Sequence, residues 1–212
     1  GFHSWINKTS NTNIWNPASF DNFVTYYDKV NRDVFFINKK ECLAFSEPLG
    51  QFSSFYSYEG TPYFANILDS GFWIRDECIW EHNKGSYNMF FEGYEPFSVT
   101  VIANPDTTQD KIFDTLEFRS DTYAYFSDLG WNIINTTFDT LTTWNEYQRG
   151  ESILKDNKMK PSNLKQKFRI WRANIPRAKA NGRDRMRNPW LYIKLSMEKP
   201  KIQKTILHDM TV

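Results

Sequence analysis

The stretch Asp33-Val34-Phe35-Phe36-Ile37-Asn38-Lys39-Lys40-Glu41-Cys42-Leu43-Ala44-Phe45 decides the fold class. It holds two short runs rich in β-branched and aromatic residues. A polar turn, Asn38-Lys39-Lys40, separates them. Runs of this length bounded by turn residues are strands of a hairpin, not turns of a helix. The same pattern continues outward. Phe23–Tyr27 precedes it across the turn Asp28–Arg32, and Phe52–Tyr58 follows the break at Pro48-Leu49-Gly50. Successive short strands joined by tight turns predict a meander, the unit of a propeller blade or a sandwich.

Further along, Phe72-Trp73-Ile74 and Cys78-Ile79-Trp80 read as short strands, with Asn83-Lys84-Gly85 as a turn. A strand is also expected over Tyr87–Phe91. Phe97–Ala103 is strongly β, because Ser98-Val99-Thr100-Val101-Ile102 alternates polar with apolar until Asn104-Pro105-Asp106 ends it. Lys111–Arg119 alternates too. Ile112, Leu116 and Phe118 are expected on one face with Asp114. Thr122–Phe126, Trp131–Asn135 and Thr140–Trp144 follow as weaker strands. After a polar loop over 150–163, Lys167–Ile175 reads as one strand with Phe168 and Ile170 inward. Trp190–Met197 and Thr205–Val212 are strands around the Lys199-Pro200-Lys201 turn. Residues 1–20, with Trp5 and Trp15 as anchors, read as irregular chain.

Composition agrees with sheet. Aromatics make up 17% of 212 residues, with 18 Phe, 11 Tyr and 8 Trp, and such residues suit pleated, half-buried surfaces. No sustained 3.6-residue period and no apolar run of membrane-spanning length occurs. Gly1 in place of Met, and a last strand that stops without a turn, suggest a fragment of a longer chain. The expected class is therefore all-β: propeller-type or meander sheets over 1–104, followed by a β-sandwich with a basic C-terminal part over 105–212.

Charge is sharply divided. Residues 1–154 carry 10 Lys/Arg against 21 Asp/Glu, a net of −11, while residues 155–212 carry 16 against 4, a net of +12. Arg183, Arg185 and Arg187 alternate with Asp184 and Met186, so an extended backbone puts the three guanidinium groups on one side. They can grip carboxylates or phosphates in bidentate fashion. Together with Arg169, Arg172 and Arg177 they form the candidate interaction set. The simplest target is an acidic surface, either residues 1–154 or a neighbouring subunit. Recognised nucleic-acid motifs are missing, so nucleic acid is not the expected partner.

Catalytic constellations are sparse. His3, His82 and His208 lack ligand spacing and read as surface or packing residues. No G-x-S-x-G elbow, P-loop or G-x-G-x-x-G is present. Asp76, Glu77 and Glu81 near Trp73 and Trp80 combine acids with aromatics. That is the chemistry of sugar contact, although an aromatic core rimmed by solvated acids has the same composition. Ser127-Asp128-Leu129-Gly130-Trp131 departs from the Asp-box spacing and reads as a plain turn. Cys42 and Cys78 lack zinc spacing; a disulfide is one reading, and two buried free thiols is the one preferred. No catalytic residue, metal or cofactor is assigned.

Three segments taken together carry a family resemblance. They are Tyr27–Ile37, Lys111–Arg119, and Lys167–Arg172 with Ile175-Pro176-Arg177 and Asp184–Trp190. In this order they resemble the C-terminal region of the stabilization, or muzzle, proteins of crAss-like bacteriophages, over roughly residues 20–212. The resemblance implies a piece of a much longer tail protein with no catalytic residues to carry over. It also implies that the first meanders close a propeller-like body and that the basic end forms a β-sandwich. The expected function is structural, through subunit contacts in virion assembly. The expected partners are other tail proteins and further copies of the chain, with no membrane. The expected location is the virion tail, after synthesis in the bacterial cytoplasm. Two other readings remain open here: a carbohydrate-binding or receptor-binding tail domain, and a glycan hydrolase with two carboxylates across a cleft.

Overall fold

The computed structural model describes residues 24–37, 41–56, 63–67, 70–75, 77–91, 93–103, 108–155, 161–179, 184–198 and 203–212. These are all-β, with no helix among them. The Asn38-Lys39-Lys40, Asn104-Pro105-Asp106 and Lys199-Pro200-Lys201 turns and the tryptophans Trp5 and Trp15 lie outside them. The chain divides into two compact units, Gly1–Gly85 and Ser86–Val212.

The first unit opens with β1 (Val24–Asp28), β2 (Asp33–Ile37), β3 (Cys42–Ser46) and β4 (Gln51–Tyr56), paired in chain order into one antiparallel sheet. This is the up-and-down meander of a propeller-type blade. Register places Tyr26 opposite Phe35 and Phe35 opposite Ala44, so alternate residues share one buried face. The turn after β1 is tied by Asp28, whose Oδ1 accepts from the backbone of Val30 at 2.9 Å and of Asn31 at 3.3 Å. This is Asx geometry, within the segment Asp28–Arg32 that reads in the sequence as a turn. A second meander follows: β5 (Tyr63–Ile67), β6 (Ser70–Arg75) and β7 (Cys78–Glu81). The two meanders meet where the ring of buried Tyr26 lies directly over Gly71; any Cβ at Gly71 would overlap that ring. Glycine is required there for close approach.

The second unit begins with β8 (Met89–Phe90) and β9 (Gly93–Tyr94), a minimal hairpin. Positive φ at Asn88 (61°) and Phe91 (53°) cuts the expected strand Tyr87–Phe91 down to these two residues. The next strands are β10 (Phe97–Ala103), β11 (Lys111–Phe113), β12 (Thr115–Phe126), β13 (Gly130–Ile134), β14 (Thr140–Trp144) and β15 (Arg149–Ile153). The last are β16 (Lys165–Lys167), β17 (Ile170–Asn174), β18 (Met186–Asn188), β19 (Leu191–Met197) and β20 (Gln203–Thr211).

One sheet has the order β10-β19-β14-β15. β10, grouped with the N-terminal meanders on sequence, pairs along its whole length with β19 of this unit. The other sheet is built on the long β12. β20 covers one of its edges from Glu117 to Ala124, while β17 and β13 share the opposite edge end to end. Leu116, Phe118, Trp171 and Ala173 from this sheet pack against Leu141, Leu191, Ile193 and Leu195 from the first. Each aliphatic side chain so buried contributes about 1.5–3 kcal/mol before chain entropy is set against it. The result is a β-sandwich.

Two sequence expectations change here. Ile112 is half exposed at 52%, whereas Phe113 is buried at 5% and Leu116 and Phe118 are buried at 0% and 1%. The alternation slips at Asp114 because the chain changes partner there, from β18 for β11 to β17 for β12. The expected single strand Lys167–Ile175 is instead a hairpin. Lys167 pairs with Ile170 across a two-residue loop, Phe168-Arg169, with φ of 50° and 65°. Phe168 therefore points to solvent, 86% exposed, and Ile170 is 37% exposed.

Candidate functional site

The outward face of the β12 sheet collects the charged side chains that the sequence divides between its two parts. Along β12, alternate residues Glu117, Arg119 and Asp121 point away from the core. Arg172 on β17 meets Glu117 at 3.5 Å. Arg119 Nε donates to Asp209 on β20 at 2.7 Å. Arg169 Nη2 donates to both oxygens of Asp121 at 2.8 Å, and His208 Nε2 lies 2.9 Å from the same carboxylate. The hydrogen bonds from Arg169 hold the Asp121 carboxyl below the usual carboxylate range; partial burial opposes them and His208 adds to them. Asp209 is lowered in the same way by Arg119.

The remaining arginines of the interaction set find carboxylates nearby. Arg185 pairs with Asp114 at 3.2 Å, Arg187 with Asp110 at 3.5 Å and Arg177 with Asp184 at 3.3 Å. Arg183 lies outside the described residues. Apart from Asp184, every one of these acids belongs to residues 1–154. The structure thus brings acidic partners from within the same sandwich to Arg169, Arg172, Arg185 and Arg187. Each exposed pair is worth only about 0–1 kcal/mol, so the ladder sets register and surface character more than stability.

The sandwich also contains a buried pair, which no motif or spacing in the sequence singles out. Lys155 Nζ lies 2.9 Å from Asp139 Oδ1, with side chains only 4% and 12% exposed. It donates to Thr136 Oγ1 at 2.9 Å and to the Thr137 carbonyl. Asp139 Oδ2 accepts from the backbone of Glu198 at 3.0 Å. Two hydrogen bonds and a carboxylate neighbour thus offset the cost of burying the ammonium.

The acid-and-aromatic group of the first unit is split between core and surface among its described members. Trp73 is 2% exposed and its ring stacks on His82 at 5.8 Å. It is core, because β6 turns it inward beside Tyr26. Trp80 lies opposite Trp73 across the β6–β7 pair and is part-exposed; Glu77 and Glu81 are exposed, and Asp76 lies outside the described residues. Glu81 makes a 3.9 Å contact with Lys84. His82 is packed against Tyr26 and Phe35 and lies 3.6 Å from Asp28. Burial pushes its pKa down while Asp28 pulls it up. Asp28 is 1% exposed; burial raises its pKa, but hydrogen bonds from Asn31 and Asn83 outweigh that and leave it lowered. His3 is outside the described residues. The cysteines are both free; Cys42 is buried as expected, but Cys78, expected to be buried too, is exposed because the short β7 leaves it at the sheet surface. Among the described residues no group of three or more His, Cys, Asp or Glu is arranged to hold a metal ion.

A cluster of exposed aromatics lies in the second unit. Trp131 packs edge-on against Tyr87 at 5.0 Å and against Tyr125 at 5.6 Å, all three more than 40% exposed. Alternation along β12 and β13 could have placed Tyr125 and Trp131 on one face. The exposure of Phe168 could not be read that way, since its turn lacks Gly or Asn.

A family model described as Crassvirus muzzle protein matches residues 1–77, and one described as Crassvirus muzzle protein C-terminal domain matches residues 85–178. The Muzzle protein of Bacteroides phage crAss001 is 50% identical over 214 residues, which include all of this chain. The chain spans about 15% of the length of that curated relative. An all-β chain with an ion-paired sandwich, matched along both units, belongs to the crassvirus muzzle protein family and is part of a phage structural protein.

Proposed function

We propose that this chain serves as a structural segment of the phage tail, acting through subunit contacts in virion assembly. The observation that carries this reading is the 50% identity to the crAss001 Muzzle protein along the entire chain. The site geometry supports it. The charged groups on the sandwich pair with one another in exposed ladders, which suits a surface that must keep its shape beside neighbours. On this reading the partners are other tail proteins and further copies of the same chain, and the protein resides in the virion after synthesis in the bacterial cytoplasm. It has no catalytic role.

The test is direct. A small epitope placed at the exposed turn Ser127–Leu129 of the full-length protein, followed by gold labelling of purified virions, should mark the tail. Virions that contain no labelled chain, or label confined to the capsid, would overturn the reading.

A further inference from the structure

The hairpin of β16 and β17 joins a basic run to an exposed aromatic. From Lys165 to Asn174 it carries Lys165, Lys167, Arg169 and Arg172 and no acid. Arg169 and Arg172 are matched by Asp121 and Glu117. Lys165 and Lys167 are exposed; among the described residues neither has a carboxylate partner, and the Lys167 ammonium lies over the Phe168 ring at 5.4 Å. Phe168 stands at the tip, 86% exposed, in a left-handed conformation that a β-carbon disfavours. A two-residue loop with both φ positive is the type I′ turn, which Asn-Gly adopts with least strain. Folding alone does not account for Phe168 at this position. Nor does protection of a sheet edge, for which lysines suffice and an exposed phenylalanine is a liability. Arg169, clamped on both oxygens of Asp121 at 2.8 Å, holds the tip in one shape, and a rigid aromatic loses little freedom on binding.

We propose that this hairpin is a docking finger: Phe168 enters an apolar socket on a protein partner, and Lys165 and Lys167 meet carboxylates on its rim. Charge complementarity selects the partner's chemistry, because the two lysines that lack a carboxylate partner flank the aromatic anchor. A desolvated aromatic ringed by ion pairs is the usual centre of a binding interface. The inference rests on the structural reading above and gives it a point of contact.

The experiment uses the full-length protein within the phage. A photo-crosslinking phenylalanine analogue placed at position 168 is irradiated in purified virions, and the joined peptides are identified by mass spectrometry. The expected product joins position 168 to a peptide that carries Asp or Glu beside apolar residues. Its yield should fall at least tenfold when Lys165→Glu and Lys167→Glu are added. Crosslinks to lipid alone, no protein crosslink in virions that contain the protein, or a yield unchanged by charge reversal would each overturn the proposal. Virions lacking the protein altogether would instead sink the structural reading on which it rests. A second variant guards against misfolding: Phe168→Asn should raise the melting temperature of the chain, since Asn tolerates the left-handed turn, yet lower the number of particles assembled. If Phe168→Asn particles assemble as well as wild type, the finger is not a contact.

Discussion

Trp144 and Tyr192 are direct partners across β14 and β19, and their rings stack at 5.0 Å with 17° between planes. Arg149 covers the far side of Trp144 at 5.7 Å, and Trp190 meets Tyr192 edge-on at 5.0 Å. The ring faces are thus taken up by one another, and the row clamps three strands of one sheet. Trp144→Ala should destabilise the sandwich by about 2–3 kcal/mol, less than a fully buried tryptophan would. A double-mutant cycle with Tyr192→Ala should leave a coupling of about 0.5–1.5 kcal/mol. Urea denaturation followed by fluorescence measures both; additive effects would mean that the stack is incidental.

Lys155 and Asp139 should behave quite differently from the exposed ladder. Lys155→Met leaves the Asp139 carboxylate buried without its cation, and a loss of about 3–5 kcal/mol is expected. Arg185→Ala, which removes an exposed pair with Asp114, should cost about 0–1 kcal/mol. Chemical denaturation of the two variants side by side checks the contrast, and equal losses would contradict it.

The first unit should lose stability in mild acid. Burial holds the His82 pKa below its ordinary value, so the unfolded chain binds the proton more readily than the folded one. Stability is then full above the unfolded histidine value of about 6.5 and is lost as pH falls below it. Asp28, also lowered, adds a loss with the same sign below about pH 4. Thermal melts from pH 8 to 5 should show a fall that is removed in His82→Gln. A wild-type melting temperature that stays flat over this range would refute it.

Asp121 predicts a separate acid effect in the second unit. Its carboxyl is lowered by Arg169, so its contribution is present above about pH 4 and lost as pH falls through the folded value. The melting-temperature gap between wild type and Asp121→Asn should therefore close below pH 4. A gap that persists there would mean the ion pairs are not its source.

The two thiols should differ in reactivity. Cys42 is fully buried and burial pushes its pKa up to about 12, whereas Cys78 is exposed. Thiolate is the reactive form, so alkylation of the native chain at pH 8 should add one group, at Cys78. A second should appear only after unfolding. Rapid double labelling, or a Cys42–Cys78 linked peptide, would contradict the buried, reduced state of Cys42.

Much of the fold was legible in local pattern. The hairpin of β2 and β3, the Asx turn at Asp28 and the alternation of Phe97–Ala103 are set by nearest neighbours in the chain, through side-chain period and turn chemistry. The sequence by itself therefore determined an all-β chain of meanders, and it showed how charge divides between an acidic and a basic part. Only the tertiary structure decided which acids the arginines meet. Arg169 reaches Asp121 and Arg172 reaches Glu117 because β17 lies along β12, and strand order is a long-range property that no window of sequence carries. The same holds at Phe168. Read locally, Lys167–Ile175 has the alternation of one strand. The pairing of β16 with β17 and the grip of Asp121 on Arg169 bend it into a hairpin against its own turn propensity, a strain of roughly 1–3 kcal/mol per residue that distant contacts outweigh.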